Sequence, residues 1–132
     1  MAAKFDFIGL LVADMGRSLA FYRRLGLDIP AAADTEPHVE VILDGGFRLA
    51  WDTEEVARQI DPDFTPPPAR AGRISLAFRC DSPADVDRVH ADLTAAGHES
   101  HREPWDAFWG QRYAVVYDPD GNSVDLYAAL VG

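Results

Sequence analysis

Four aromatic side chains lie close together near the C-terminal end of the sequence: Trp105, Phe108, Trp109 and Tyr113, with Arg112 beside them. Tryptophan and tyrosine combine a large, rigid apolar ring with one hydrogen-bonding group. A cluster of them at the start of a strand is therefore typical of a slot that stacks a flat molecule. Such clusters also form the cores or dimer interfaces of small domains, and the sequence alone leaves that alternative open.

Composition excludes several classes of function. The 132 residues include 22 acidic and 12 basic side chains, for a formal net charge of -10, whereas a nucleic-acid-binding protein needs a basic surface. The apolar run near the N terminus is interrupted by Asp6 and ended by Asp14, which makes it too short for a signal peptide or a membrane span. We therefore expect one cytoplasmic domain without nucleic-acid or membrane partners. Its acidity weakly favours neutral or cationic ligands.

Cysteine and histidine show no metal-binding pattern. Cys80 is the only cysteine, so the chain can form neither an internal disulfide nor a cysteine metal cage. His98 and His101 are three residues apart, but Gly97 ends the preceding predicted helix, and no helix holds the two rings on one face. The four histidines are predicted to be polar surface residues.

Hydrophobic periodicity predicts the strands and helices of both halves of the chain. The first half has a strand at 5–12, a helix from Met15 that stops at Gly26, a loop at 29–37, strands at 38–43 and 47–51, and a short helix at 53–59. The second half has a strand at 73–80, a helix capped by Ser82 that ends at Gly97, a strand near 99–103, and a hairpin of strands 113–117 and 123–127. A proline-rich linker separates the halves.

The two halves form an internal repeat. FIGLLVADMGRSLAFYRRLGL has the same order of strand, acidic cap, helix and glycine as SLAFRCDSPADVDRVHADLTAAG, and VILDGGFRLAWD matches VVYDPDGNSVDLYA. The repeat predicts an α+β fold of two βαβββ modules, residues 1–60 and 72–132, within one domain of residues 1–132. The two modules are expected to form a curved mixed sheet around a shared space.

Three segments, VADMGRSLAFYRRLGL, LAFRCDSPADVDRV and YDPDGNSVDLY, resemble the vicinal oxygen chelate superfamily. This superfamily includes glyoxalase I, extradiol dioxygenases, fosfomycin resistance enzymes and bleomycin-binding proteins. HVEVILDGGFRLAWDT and PWDAFWGQRYAVVYDPDGNSVDLYA are similar to the metal-free branch of mitomycin-binding resistance proteins. The resemblance implies the glyoxalase/bleomycin resistance fold and a homodimer whose two cavities each hold a planar drug between aromatic side chains, without catalysis.

Enzymes of this superfamily hold a divalent ion with histidine, glutamine and glutamate ligands. The resemblance places the matching positions at about Phe7, Arg48 or Leu49, Ser75 and Asp125. Only Asp125 is a competent ligand, because a phenyl ring cannot coordinate an ion, a guanidinium repels one and serine is a poor donor. We therefore expect no metal, no cofactor and no catalytic residue.

With this fold granted, alternate strand residues are expected to point into the cavity. The expected ligand-binding residues are His38, Glu40, Trp51, Asp52, Trp105, Phe108, Trp109, Arg112, Tyr113 and Asp125. Three of them have simpler explanations that stay open: Asp52 capping the next helix, Arg112 pairing with an acid, and Glu40 facing solvent.

Two functions are compatible with the sequence. The first is a metal-free protein that sequesters planar aromatic or quinone-type compounds, such as antibiotics, in the cavities of a homodimer. The second is a metal-dependent lyase, isomerase or dioxygenase of the superfamily. The first agrees better with the unsuitable side chains at the metal positions and with the aromatic stretch.

Overall fold

The computed structural model describes residues 3–70 and 73–130, and the chain divides into two compact units, residues 1–66 and 67–132. Residues 1–2 and 131–132, at the ends of the predicted modules, and residues 71–72 lie outside the described residues. Within the described part, the first unit contains β1 (Phe7–Val12), α1 (Met15–Arg24), a 3-10 helix (Ala31–Thr35), β2 (His38–Ile42), β3 (Arg48–Thr53) and α2 (Glu54–Ile60). The second contains β4 (Ser75–Arg79), α3 (Pro83–Ala95), β5 (Ser100–Ala107), β6 (Gln111–Tyr117) and β7 (Ser123–Ala129).

The first unit is a three-stranded mixed sheet with the order β1-β3-β2, in which β1 runs parallel and β2 antiparallel to β3. Its core centres on Trp51, which is opposite Leu10 and Val39 in the register and is fully buried. The Tyr22 ring of α1 packs edge-on against Trp51, with ring centroids 5.5 Å apart. Helix α1 therefore covers this face of the sheet.

Local sequence signals set the limits of α1. The side chain of Asp14 accepts a hydrogen bond from the Arg17 backbone N–H at 2.9 Å, which satisfies one of the free donors at the helix start. Gly26, just after the helix, has a φ of +103°, a conformation that glycine adopts without steric cost. Both ends of the helix agree with the prediction.

The first unit has one strand fewer than a βαβββ module. Where a further strand would follow α1, the chain forms the short 3-10 helix between Pro30 and Pro37. Proline has no N–H to donate to a ladder, and AAADT between these prolines lacks alternating apolar residues. The described part of the first unit is therefore βαββ, while the predicted α+β class with mixed sheets is confirmed.

The second unit has the complete βαβββ order, with its four strands arranged β4-β7-β6-β5. Ser82 caps α3 by accepting a hydrogen bond from the Asp85 N–H at 3.2 Å. The helix buries Val86 and Leu93, and the sheet buries the alternate residues of β6 and β7. No helix in the described ranges is both long and apolar enough to span a membrane.

Strand β5 extends beyond the predicted strand near 99–103, to Ala107, and it includes Trp105. Pro104 lies inside this strand, which is possible because β5 is at the edge of the sheet, where an unpaired backbone position is tolerated. Strand β6 also begins earlier than predicted, at Gln111. Much of the aromatic stretch is thus part of the sheet and is held by its backbone ladder.

A tight turn joins β6 to β7. The carboxylate of Asp118 accepts hydrogen bonds from the backbone N–H groups of Asp120 at 3.0 Å and Asn122 at 2.8 Å. Gly121 has a φ of +84°, and a Cβ added there would lie 2.7 Å from the Cβ of Ala69. Two constraints therefore require glycine at position 121: the backbone conformation and the close approach of Ala69.

The substitution Gly121→Ala tests whether the contact with Ala69 matters in addition to the backbone conformation. Gly45→Ala is the matched control, because Gly45 has a similar φ of +87° with nothing within 4 Å of its added Cβ. The conformational cost of ~1–2 kcal/mol applies to both variants. Overpacking should add a further ~1–3 kcal/mol to the destabilisation by Gly121→Ala alone. Urea denaturation measures the difference, and equal losses would show that Ala69 moves freely.

Candidate functional site

Three of the predicted aromatic residues, Trp105, Trp109 and Tyr113, meet on the face of the second sheet that is turned away from α3. Trp105 of β5 is opposite Tyr113 of β6, and Tyr113 is opposite Tyr127 of β7. Side chains alternate between the two faces of a strand, so Ala114 and Leu126 point to the other, buried face. Three neighbouring strands thus present one ring each in a continuous row.

The rings in this row contact one another. The centroids of Trp105 and Tyr113 are 5.6 Å apart with an interplanar angle of 68°, and those of Tyr113 and Tyr127 are 6.3 Å apart with an angle of 27°. Trp109, from the β5–β6 turn, packs edge-on against Tyr113 at 5.3 Å and against Trp105 at 6.1 Å. We call Trp105, Trp109, Tyr113 and Tyr127 the aromatic face.

The β5–β6 turn determines how much of this cluster reaches solvent. Gly110, with a φ of +90°, donates its backbone N–H to the Ala107 carbonyl at 3.0 Å and reverses the chain. The Trp109 indole Nε1 donates to Gln111 Oε1 at 2.8 Å, which fixes the orientation of the ring. Trp109 is 48% exposed, and the neighbouring Phe108 is 96% exposed. The turn therefore carries two apolar rings that are accessible to a ligand.

One carboxylate lies on the same side of the sheet as the aromatic face. The Tyr113 hydroxyl donates a hydrogen bond to Asp125. Burial, together with this bond, raises the pKa of Tyr113 to about 12, so the phenol is protonated at neutral pH. The neighbours of Asp125 across the strands are the apolar residues Val115 and Ala77, and Asp125 is partly exposed. The structure therefore brings the predicted residues Tyr113 and Asp125 together.

Arg112 does not belong to this face. It is next to Tyr113 in β6 and so points to the opposite side, where its guanidinium bonds Asp87 of α3 at 3.0 Å and Asp106 at 3.1 Å. The hydrogen bond to Asp87 is the largest cause of the raised pKa of Arg112. Its position agrees with the alternative of pairing with an acid, and its role is to connect β6 to α3.

This side of the sheet also carries Tyr127, Arg102 and Arg79, which are absent from the predicted set. Tyr127 could have been found from the alternation that places it on the same face as Asp125. Arg102 could not have been found in this way. It is three residues before Trp105, and only the register shifts on either side of Arg102 in β5 bring its guanidinium over the Trp105 ring, 3.8 Å from the centroid.

Trp51 lies in the core of the first unit. Its exposed fraction is 0%, and its ring packs against Tyr22. In this conformation the indole offers no surface to a ligand, in contrast to Trp109. Alternation along β3 shows which residues share a face with Trp51, but it does not show which face a helix covers. Position 51 is on the face that α1 covers.

Three further predicted residues, His38, Glu40 and Asp52, meet on the other side of the first sheet. His38 Nδ1 is 2.5 Å from Asp52 Oδ1, and His38 Nε2 is 3.2 Å from Glu40 Oε1. Arg48 extends the network by bonding both Glu40 and Asp6. Asp52 thus bonds a side chain and leaves the capping of α2 to the following residue, whose hydroxyl accepts from the Val56 N–H.

The hydrogen bond to Asp52 is the largest cause of a raised pKa at His38, with a smaller contribution from Glu40. A carboxylate on each side of the ring favours the imidazolium, which can donate from both nitrogens. At neutral pH the ring therefore carries more positive charge than an isolated histidine would. This charged network offers hydrogen-bonding groups on an exposed strand surface.

The side chains at the superfamily's metal positions do not fit a divalent ion. In the first unit the Arg48 guanidinium lies over the Phe7 ring, 5.3 Å from its centroid, and would repel a cation. In the second unit Ser75 is paired with Ser123, and Asp125 accepts the Tyr113 hydroxyl. Among the described residues no group of three or more histidine, cysteine, aspartate or glutamate side chains is arranged to hold a metal.

Residues 4–126 match the family model of the Glyoxalase/Bleomycin resistance protein/Dioxygenase superfamily. This match covers nearly the whole chain and both units. The chain belongs to this superfamily, as the resemblance of its sequence segments implied. Comparison with curated protein sequences gives no significant match.

Solved structures with similar folds span the full length of the chain. A protein of unknown function from Agrobacterium tumefaciens is 30% identical, with a TM-score of 0.71 and coverage of 98% of this chain and 97% of the other. A superfamily enzyme from Burkholderia phytofirmans is 18% identical, with a TM-score of 0.77 and coverage of 97% and 100%. A lactoylglutathione lyase from Agrobacterium tumefaciens is 20% identical, with a TM-score of 0.62 and coverage of 97% and 95%. The last two likenesses support the fold alone.

The substitution Asp52→Asn tests the charged network. Loss of the anionic partner should lower the pKa of His38 toward its ordinary value. His90 is the internal control. The prediction that all four histidines lie at the surface was wrong for His90, which is buried on α3 with its Nε2 2.7 Å from Ser100 Oγ. Burial lowers its pKa, and it therefore titrates at lower pH in both proteins. Proton NMR of the imidazole resonances measures both midpoints.

The raised pKa of His38 also gives the direction of a pH effect on stability. A histidine whose pKa rises on folding contributes stabilisation that is complete below its unfolded pKa of about 6.5. This stabilisation is lost as the pH rises through the folded pKa. In the NMR titration, a His38 midpoint below that of His90, or a His38 midpoint that Asp52→Asn does not change, would contradict the network.

Proposed function

We propose that this protein binds planar aromatic or quinone-type compounds, such as antibiotics, and sequesters them without a metal ion and without catalysis. The observation that supports this proposal is the aromatic face, in which three rings are in register across β5, β6 and β7 and a fourth is half exposed. In this respect the protein would act like the mitomycin-binding resistance proteins that its sequence resembles.

The aromatic face is suited to binding by its size and rigidity. Each ring is part of a paired strand or of a short turn, so little conformational freedom is lost when a flat molecule lies against it. Aromatic contacts contribute ~0.5–1.5 kcal/mol per pair beyond the burial of apolar area. Burial itself contributes ~25 cal/mol per Å². Several hundred Å² of contact would therefore suffice for about micromolar affinity after the cost of association.

Two polar features beside the rings would orient a ligand. Asp125 is partly exposed and accepts the Tyr113 hydroxyl, so a ligand beside it would meet a hydrogen-bond acceptor next to an aromatic ring. Gln111 fixes Trp109 through the indole N–H. The Tyr113 phenol is not a proton donor near neutral pH, since its pKa is raised to about 12, and its hydroxyl hydrogen bond occupies one Asp125 oxygen. Binding alone is the function best suited to these groups.

Enzymatic activity is the competing proposal, because the superfamily contains lyases and dioxygenases. That activity would need a divalent ion at positions where this chain has Phe7 beneath the Arg48 guanidinium and Ser75 paired with Ser123. These groups are unsuitable donors, which favours binding over catalysis.

The proposal includes the homodimer that the sequence resemblance implies. It also includes a cytoplasmic location for the protein. Several large apolar side chains that are more than 70% exposed support an association between copies. These residues are Phe5, Ile42, Ile60, Ile74 and Phe108.

The substitutions Trp105→Ala and Trp109→Ala test the aromatic face. Each should weaken the binding of a planar aromatic antibiotic by about tenfold, because one ring of the face is lost. The control is Phe7→Ala, which removes a partly exposed ring of the first unit that belongs neither to the aromatic face nor to the apolar residues assigned to the dimer. Isothermal titration calorimetry measures the affinities, and circular dichroism verifies the fold. Equal affinity of wild type and both tryptophan variants would refute the proposed site.

Metal content separates binding from enzymatic function. Purified, untagged protein is expected to contain far less than one equivalent of zinc, nickel, manganese or iron per chain, and a chelator should leave ligand affinity unchanged. Inductively coupled plasma mass spectrometry measures the content. About one bound ion per chain, with loss of binding after its removal, would favour the enzymatic alternative.

A further inference from the structure

Two arginines lie at opposite ends of the row of rings in the second unit. Arg102 of β5 is over Trp105 at one end. At the other end Arg79 of β4 is opposite Tyr127 of β7 in the parallel pairing, and it is exposed. Because paired residues of neighbouring strands share a face, Arg79 is on the same side of the sheet as the rings.

The position of Arg102 depends on irregular pairing in β5. Residues three apart in a regular strand face opposite sides, but β5 shifts its register between Ser100 and Arg102 and again between Arg102 and Trp105. Arg102 is therefore opposite Val115, on the same face as Tyr113. Bulges next to functional sites commonly redirect a side chain in this way.

The contact with Trp105 leaves Arg102 free to bind an anion. A guanidinium that stacks on an indole uses its flat face, while the N–H donors at its edge stay available. No carboxylate among the described residues forms an ion pair with Arg102, and the same holds for Arg79. In a chain with 22 acidic and 12 basic residues, two arginines without acidic partners beside one binding surface are unexpected for a purely structural role.

We propose that the aromatic face selects planar aromatic anions, such as aryl carboxylates and acidic phenols, with the acidic group bound by Arg102. This inference rests on the proposed function of the same face and names the class of ligand. A carboxylate matches the edge of a guanidinium, which donates two parallel hydrogen bonds in a fixed geometry. The ring system of the ligand would then lie along Tyr113 and Tyr127, with Arg79 at its far end.

The dimensions of the row agree with a fused-ring ligand. Four neighbouring strands, from Trp105 to Arg79, span three strand spacings, or about 14 Å. A bicyclic or tricyclic ring with one acidic substituent fits within this length. The local arginines thus favour an anionic ligand, although the net charge of the chain favours neutral or cationic ones.

Asp125 determines which part of the ligand can carry the charge. Its carboxylate lies between Val115 and Ala77 in the middle of the sheet, and it would repel an anionic group placed there. Only the ends of the row, near Arg102 or Arg79, are suited to the acid. The substitution Asp125→Asn keeps an acceptor for the Tyr113 hydroxyl and removes the repulsion.

A matched pair of ligands tests the proposal: 2-naphthoate, which is anionic, and 2-naphthamide, its neutral counterpart of nearly the same shape. Calorimetry with the full chain should show 2-naphthoate binding about tenfold tighter than 2-naphthamide. Arg102→Gln should abolish this preference by weakening 2-naphthoate alone. Asp125→Asn should increase the affinity for 2-naphthoate and change the affinity for 2-naphthamide by no more than about twofold. Arg17→Gln, which removes the same charge from α1, is the control and should change neither affinity.

The outcomes distinguish this inference from the proposed function. Equal binding of both ligands, unchanged by Arg102→Gln, would overturn the preference for anions while the aromatic face remains a binding surface. No binding of either ligand would count against both. If Arg102→Gln does not fold, Arg102→Lys provides the test. Lysine keeps the positive charge but cannot form the bidentate hydrogen bonds, so this variant should still reduce the preference for 2-naphthoate.

Discussion

The pairing of Trp105 with Tyr113, and of Tyr113 with Tyr127, is the interaction on which the candidate site depends. A shift of one residue in either pairing would turn a ring to the face that α3 covers, since side chains alternate along a strand. The buried neighbours Ala114 and Leu126 oppose such a shift, because it would expose them and bury polar groups. The apolar core beneath the sheet therefore fixes the rings above it.

In each unit a sheet packs against a helix on one face, but the opposite faces of the two sheets carry different side chains. In the first unit this side carries a chain of charges that runs through His38 and Arg48. In the second unit it carries rings, with the Asp125 carboxylate bonded to one of them. Similar backbones thus support an ionic surface and an aromatic one, which illustrates why the fold alone does not determine function.

Local signals were sufficient to predict most of the elements. The capping residues Asp14 and Ser82 and the glycines that follow each helix mark helix ends that depend on neighbouring residues only. The internal repeat predicted a further strand in the first unit, although local composition predicted a loop at 29–37, and the structure agrees with the absence of a strand there. Prolines and small residues in its place were the physical signal against a strand.

The site was only partly predictable, because side-chain direction depends on register and on which face is covered. Residue type and spacing were enough to predict that Trp105 and Tyr113 lie together. They could not show that Arg112 points toward α3, whereas two register shifts bring Arg102 to the rings. Burial of Trp51 likewise depends on the position of α1, which alternation within one strand does not specify.

The three tryptophans allow a direct test of the central claim that planar ligands bind the aromatic face. Each indole N–H gives its own signal in a proton–nitrogen NMR spectrum, and titration with 2-naphthamide follows all three at once. Binding at the aromatic face should give saturable shifts for Trp105 and Trp109 and leave Trp51 unchanged, because Trp51 is fully buried in the first unit. A saturable shift of Trp51 alone, with Trp105 and Trp109 unaffected, would contradict it.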